Sequence, residues 1–174
     1  MFRPAYLLRR TLAACCMVAL TASAAVADDF AAPSGAVILT VSGMITATNA
    51  EGTLMLDQAQ LAALPQISFA TATPWTEGTP RFQGVLVKDL IAAIGATGGT
   101  ITLTALNDYQ ITMPVADVAD DGPLLAYLLD GKPMSLRDKG PVWLVFPYDA
   151  NADYRTEQTY ARSIWQLDRI EFGP

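Results

Sequence analysis

Apolar and polar residues alternate along residues 100–106, where Ile101, Leu103 and Ala105 share one face and threonines share the other. A period of two residues is typical of a half-buried β-strand. Apolar and β-branched runs predict further extended segments at residues 37–41, 67–73, 109–113, 124–129, 142–146 and 166–172. Residues 142–146 are apolar throughout, so we expect them to form a central strand of a sheet.

A period near 3.6 residues predicts two short helices between these strands. The first covers residues 57–64, with Asp57 as N-cap, Gln60 three positions later and Pro65 after its end. The second has four apolar residues on one face and a glycine at its end, which are Leu86, Leu90, Ile91, Ile94 and Gly95. Strands outnumber helices, so we predict the α+β class, with a mixed, mainly antiparallel sheet and short inserted helices.

The first 27 residues have the pattern of an export signal. Three arginines precede the apolar stretch 11–20, and the tripeptide at 25–27 has the Ala-x-Ala form of a cleavage site. The apolar stretch is too short to span a bilayer as a helix. We therefore expect a signal peptide cleaved before Asp28, a single periplasmic domain over residues 28–174, and no stable membrane insertion.

Removal of this signal changes the chemistry of the chain. The sequence has no His, and its two Cys are Cys15 and Cys16. Residues 28–174 therefore lack imidazole and thiol groups, which excludes Ser-His-Asp triads, Cys-His pairs and His-based zinc sites. Eight basic and seventeen acidic residues remain, a net charge of −9, which argues against a nucleic-acid partner.

Two short polar segments are candidates for ligand contact. Trp75 lies in a loop rich in threonine, where an indole forms either a stacking wall for a flat ligand or part of the core. Asn107, Asp108 and Tyr109 form a turn between two predicted strands. They would also bring an amide, a carboxylate and a phenol to one edge of the sheet.

A longer segment after residues 142–146 combines aromatic and charged side chains. It contains Tyr148, Tyr154, Arg155, Tyr160 and Arg162. Aromatic rings interleaved with arginines suit a flat or anionic ligand, although paired charges on a solvated surface would produce the same composition. We interpret this segment as part of a binding site.

The same segment begins like a calcium-binding loop. Asp149, Asn151 and Asp153 match the first half of that pattern, but Tyr154 and Tyr160 occupy the positions that require Gly and Glu. We therefore expect a polar loop, with no metal ligands and no catalytic residues.

Seven segments occur in a recognisable order: LTVSG at 39–43, LAALP at 61–65, FQGVLVKDLI at 82–91, ALNDY at 105–109, DGKPM at 130–134, GPVWLVFP at 140–147 and WQLDRI at 165–170. This series resembles the molybdopterin-binding domain of the sulfite oxidase family. The resemblance covers nearly all of residues 28–174 and implies the fold of that domain, with a pterin as the ligand.

The resemblance also identifies a position at which this sequence departs from the family pattern. In that family a Cys thiolate a few residues before a Trp ligates molybdenum. Here Trp75 keeps the Trp, and Thr71 lies near the place of the Cys. A hydroxyl cannot replace a soft thiolate as a molybdenum ligand, so we expect a pterin without molybdenum.

The sequence is similar to small periplasmic members of this fold, which look like pterin-binding proteins that report to membrane receptors controlling cyclic-di-GMP. This resemblance implies a non-catalytic sensor or adaptor whose partners are a pterin and the periplasmic part of a receptor. Two alternatives stay open: a molybdopterin-dependent oxidoreductase or a subunit of one, and an interaction domain without a ligand.

For a pterin ligand, the sequence allows several contacts. The ring would stack on Trp75 or a Tyr, and one carboxylate, from Asp108 or Asp149, would accept the two adjacent N–H groups of its amino-pyrimidinone edge. Donors to its carbonyl and ring nitrogens would come from Arg81, Arg155, Arg162 or Asn107. The predicted ligand-binding set is therefore Trp75, Arg81, Asn107, Asp108, Tyr109, Tyr148, Asp149, Arg155, Tyr160 and Arg162.

Overall fold

Two sheets, three short α-helices and three 3₁₀ turns make up the part of the chain that the computed structural model describes, residues 30–174. The predicted export signal lies outside these residues. The strands are β1 (Val37–Gly43), β2 (Leu54–Asp57), β3 (Ile67–Ala70), β4 (Arg81–Leu86), β5 (Thr100–Ala105), β6 (Gln110–Pro114), β7 (Leu124–Leu129), β8 (Lys132–Pro133), β9 (Trp143–Val145) and β10 (Leu167–Gly173). The α-helices are α1 (Gln58–Ala63), α2 (Val87–Ile94) and α3 (Glu157–Arg162).

The first sheet has the strand order β2-β1-β10-β5-β6. β1 and β10 are parallel, and the other neighbours in this sheet are antiparallel. The second sheet has the order β3-β4-β7-β8 with β9 also paired to β7, and all its pairs are antiparallel. The predicted class, α+β with mainly antiparallel strands and few short helices, is confirmed.

The position predicted for residues 142–146 is wrong. β9 pairs with β7 alone among the described strands, and Val142 forms an isolated bridge to Leu167 at the start of β10. Trp143, Leu144 and Val145 are nevertheless fully buried, because the segment lies where the two sheets meet. An apolar run indicates that both faces of a strand are buried. It does not indicate that another strand pairs with each of its edges.

Both predicted helices are confirmed by their caps. Asp57 accepts a hydrogen bond from the Gln60 amide at 2.9 Å, and the Gln60 side chain accepts one from the Asp57 amide at 3.0 Å. These reciprocal bonds form the expected capping box. Gly95 ends α2 in the left-handed conformation with φ 59°, and a Cβ there would collide with Thr46. The residue type at Asp57 thus follows from local hydrogen bonds, and that at Gly95 from the left-handed helix end and from the close approach of Thr46.

Several elements have no counterpart in the sequence-based prediction, among them β2, β4, β8 and α3. Within β4, Gly84 interrupts the apolar pattern, yet its backbone lies against Leu125 so closely that a Cβ would collide with that carbonyl. The glycine thus allows a close approach inside a strand. The extended segment predicted at 67–73 is shorter than expected, since β3 ends at Ala70 and the Thr71 amide bonds to Pro80.

A single hydrophobic cluster joins the two sheets and α2. Leu39, Val85, Leu90, Trp143 and Ile170 are among its fully buried members. Within residues 30–174, no helix is long and apolar enough to cross a membrane.

Candidate functional site

A cavity of about 310 Å³ opens beside β6, where the last turn of α3 approaches the turn between β5 and β6. Four of its lining residues are aromatic or amide side chains from the predicted set, namely Trp75, Asn107, Tyr109 and Tyr160. The others are Ala105, Ala161, Ser163, Ile164 and Trp165. The cavity therefore unites three segments that are far apart in the sequence.

Trp75 packs against the core and lines the cavity as well. Its ring meets those of Trp143, Tyr160 and Trp165 edge to face, with centroid distances of 6.0, 5.9 and 5.6 Å. Edge-to-face packing is a favourable arrangement of aromatic rings and restrains their rotation. The Trp75 side chain thus contacts the core and also lines the cavity, so the two interpretations of its position do not exclude each other.

The turn between β5 and β6 contributes an amide and a phenol. Asn107 Oδ1 accepts a hydrogen bond from the Tyr109 amide at 3.2 Å, which is a local turn contact. Tyr109 is 52% exposed and lies at the edge of the cavity. Asp108 is left-handed, with φ 63°, and its carboxylate accepts a hydrogen bond from Arg169 Nη2 at 2.6 Å. It is not among the lining residues.

The C-terminal end of α3 is held by a buried hydrogen-bond network. Ser163 Oγ donates to the Thr159 carbonyl at 2.7 Å and shares a hydrogen bond with the Tyr148 hydroxyl. The Ser163 carbonyl accepts from Trp143 Nε1 at 3.1 Å. Because these groups are buried and paired, this side of the cavity is rigid.

Tyr148 belongs to that network and does not reach the cavity. It is 2% exposed, and burial raises the pKa of its phenol to about 12, against the opposing effect of its hydrogen bond to Ser163. The ring packs beside Tyr160 with centroids 5.2 Å apart. The prediction that Tyr148 faces a ligand is therefore corrected: it supports Tyr160 from the core side.

Asp149 and Arg155 stabilise the loops around the cavity and do not line it. Asp149 Oδ2 accepts a hydrogen bond from the Ala72 amide at 2.7 Å, and Arg155 Nη2 lies 3.6 Å from Oδ1 of the same carboxylate. Arg155 Nε also donates to the Tyr148 carbonyl at 2.7 Å. These contacts join the loop after β3 to the loop after β9.

The remaining predicted cations are also engaged elsewhere. Arg162 Nη2 pairs with Asp117 at 2.7 Å. Arg81 donates from Nη1 to Ser68 Oγ at 3.2 Å, between the neighbouring strands β3 and β4. Neither guanidinium group lines the cavity. In this structure the guanidinium groups predicted to meet a ligand form an ion pair and a cross-strand hydrogen bond.

Thr71, which the resemblance places near a metal-ligating Cys, is fully buried. Its hydroxyl accepts a hydrogen bond from the Asp149 amide at 3.1 Å and faces the Ala72 carbonyl at 3.4 Å. Among residues 30–174, no group of three or more His, Cys, Asp or Glu side chains is arranged to hold a metal ion. The cavity is lined by aromatic, apolar and neutral polar residues, and residues 30–174 contain no Cys whose thiolate could hold molybdenum.

Several lining residues were not predicted, Trp165 being the largest. It is 39% exposed and follows α3 directly. Trp165 is a large indole beside a polar loop, and it lies in one of the seven segments of the resemblance. These two features could have identified it from the sequence. Ser163 and Ile164 have no comparable signal, because a small and an aliphatic residue line a cavity only through the path of the backbone.

Comparison with known proteins agrees with this structure. No curated protein matches the chain. The family described as the oxidoreductase molybdopterin binding domain matches residues 39–153, which include the Trp75 and Asn107–Tyr109 side of the cavity but end before α3. Since the match covers most of the chain and the fold is the α+β arrangement expected of that domain, the chain belongs to the oxidoreductase molybdopterin-binding domain family.

Proposed function

We propose that this protein binds a pterin in the aromatic cavity and acts in the periplasm as a non-catalytic sensor or adaptor for a membrane receptor. The observation that carries the proposal is a cavity with four aromatic side chains in a molybdopterin-binding domain that lacks the metal-ligating Cys. The family supplies the class of ligand, and the missing thiolate argues against metal chemistry.

The aromatic walls support binding of a flat ring. Three edge-to-face contacts already restrain the Trp75 ring, so ligand binding costs little further conformational entropy at this side chain. Tyr109 and Trp165 are partly exposed and can bury their free faces against a ligand. Stacking on such rings contributes about 1–3 kcal/mol for each base-like heterocycle.

Polar groups at the cavity support recognition of the pterin edge. Ala161 lines the cavity, and its carbonyl accepts no hydrogen bond from any described residue. The side-chain amide of Asn107 likewise has no acceptor among residues 30–174. A pterin carries adjacent N–H donors together with carbonyl and ring-nitrogen acceptors, so a free carbonyl and a free amide match both kinds of group.

The non-catalytic part of the proposal is supported by Thr71. No Cys lies within residues 30–174, and the hydroxyl near the expected ligand position is buried against Ala72 and Asp149. A buried, hydrogen-bonded hydroxyl is neither a soft ligand nor free to move towards a metal. The export signal and the family resemblance support the periplasmic and signalling parts.

A second function is favoured by the family match itself. Membership of an oxidoreductase domain family is equally compatible with a molybdopterin-dependent enzyme or a subunit of one. Elemental analysis of the native protein separates the two functions. Stoichiometric molybdenum would support the enzyme and contradict the sensor.

The main experiment uses protein purified from its native periplasm. Denaturation should release a fluorescent pterin in near-equimolar amount, and added reduced pterins should rebind to the emptied protein. The variant Tyr109→Ala should weaken rebinding about tenfold, while the control Met55→Ala, an exposed apolar residue on β2, should leave it unchanged. If neither the native nor the reconstituted protein holds a pterin, the proposal is wrong.

A further inference from the structure

The cavity contains no charged side chain. Its nine lining residues are aromatic, apolar, or neutral and polar. The family's cofactor, molybdopterin, carries a phosphate ester, and a phosphate has a charge of about −1.5 to −2 near neutral pH. A partly buried phosphate needs charge-assisted donors, most often arginines in bidentate contact. The lining of this cavity supplies none.

Two arginines that adjoin lining residues are paired with acids: Arg162 follows Ala161 in the chain, and Arg169 donates to the Ala105 carbonyl at 3.3 Å. Arg162 Nη2 lies 2.7 Å from Asp117. Arg169 pairs with two carboxylates, Asp108 at 2.6 Å and Asp168 at 3.2 Å. Two guanidinium groups thus face three carboxylates, so an approaching phosphate would compete with acids already in place.

Two further features weaken the attraction for an anion. The C-terminal end of α3 lines the cavity, and this is the end of a helix that carries partial negative charge. Lys139 is not a lining residue, and its Nζ lies over the rings of Trp143 and Trp165, 5.5 and 5.9 Å from their centroids. Its charge is therefore engaged with aromatic faces.

We infer that the cavity selects pterins whose side chain is uncharged and discriminates against phosphate esters, molybdopterin among them. This inference rests on the proposed function and defines its ligand class more narrowly. A volume of about 310 Å³ lies near the lower limit for small-molecule pockets, which suits a bicyclic ring with a short neutral side chain. The domain has thus kept a place for the ring of the family's cofactor and lost the means to hold its phosphate.

The test compares two probes that differ in the phosphate alone, neopterin and neopterin 3′-monophosphate, by calorimetric titration at low ionic strength. We expect neopterin to bind at least tenfold more tightly. Equal affinities, or tighter binding of the monophosphate, would overturn the inference and leave the proposed function standing. Absence of binding by both probes and by reduced pterins would instead overturn the proposed function, and the inference with it.

A matched pair of variants tests whether the acids cause the discrimination. Asp108→Asn removes one carboxylate beside the cavity, and Asn tolerates the left-handed backbone at this position. We expect the ratio of monophosphate to neopterin affinity to rise several-fold. Asp153→Asn, an equal charge change on a 3₁₀ turn that does not line the cavity, should leave the ratio of affinities as it is. An unchanged ratio in Asp108→Asn contradicts the inference.

Discussion

The rings of Trp75 and Trp165 meet edge to face with their centroids 5.6 Å apart, although the two residues are 90 positions apart in the sequence. Trp75 lies in the loop after β3, and Trp165 lies between α3 and β10. Their contact joins the two halves of the cavity wall. The geometry of the candidate site therefore depends on how the last segment of the chain packs against the rest.

Replacement of Trp165 should separate binding from folding. Trp165→Ala removes a partly exposed wall of the cavity, so we expect pterin affinity to fall tenfold or more, equivalent to about 1–3 kcal/mol of stacking. The variant should still fold, with some loss of stability because Trp165 packs edge to face against Trp75 and Trp143. Titration of pterin fluorescence measures the affinity, and Met44→Ala, an exposed apolar residue outside the cavity, serves as control. Unchanged affinity in Trp165→Ala would show that the ligand binds elsewhere.

Tyr148→Phe tests the buried support of α3. The change removes the hydroxyl bonded to Ser163, and we expect a loss of about 1 kcal/mol in the free energy of unfolding. Denaturant unfolding measures this loss. A variant as stable as the parent protein would contradict the structural role assigned to the Tyr148 hydroxyl.

The pH dependence of stability follows from the same residue. The pKa of Tyr148 is raised to about 12 in the folded protein, above the ordinary value near 10, so folding favours the protonated phenol. This contribution is fully present below pH 10 and is lost as the pH rises from 10 through 12. Between pH 10 and 12, the free energy of unfolding should fall less steeply with pH for Tyr148→Phe than for the parent protein. Parallel curves would contradict the raised pKa.

Asp57→Ala should destabilise the start of α1 in a pH-dependent way. The Asp57 carboxylate accepts hydrogen bonds from the Gln60 and Gly35 amides, chiefly Gln60, which lower its pKa. The stabilisation is present above the unfolded pKa near 4 and is lost as the pH falls below it. At neutral pH the variant should melt several degrees lower, and the difference should shrink in acid. A difference that is constant with pH would exclude the charged cap as its cause.

Thr71→Cys restores a thiol near the family's ligand position. Because Thr71 is fully buried, we expect the new thiol to resist alkylation in the folded protein and to react on unfolding. Loss of the hydroxyl that accepts from the Asp149 amide should cost about 1 kcal/mol of stability. Rapid labelling of the native variant, measured by mass spectrometry of the peptide that contains residue 71, would show that this position is accessible.

Features that depend on neighbouring residues were determined by the sequence itself. The capping box of Asp57 and Gln60, the left-handed Gly95 and the turn at Asn107–Asp108 each involve residues within a few positions of one another. Alternation in 100–106 likewise determined which face of β5 is buried. The fold class followed from these signals, since local hydrogen bonds and side-chain period do not depend on distant packing.

The cavity was decided by the tertiary structure. Trp75, Tyr109 and Trp165 approach one another because α3 lies beside β6 and the chain then returns through β10 in the middle of the first sheet. The same packing turned Tyr148 into the core and left β9 with one strand partner. Composition predicted a site rich in aromatic residues, but which face of each ring remains free depends on segments that meet only after folding.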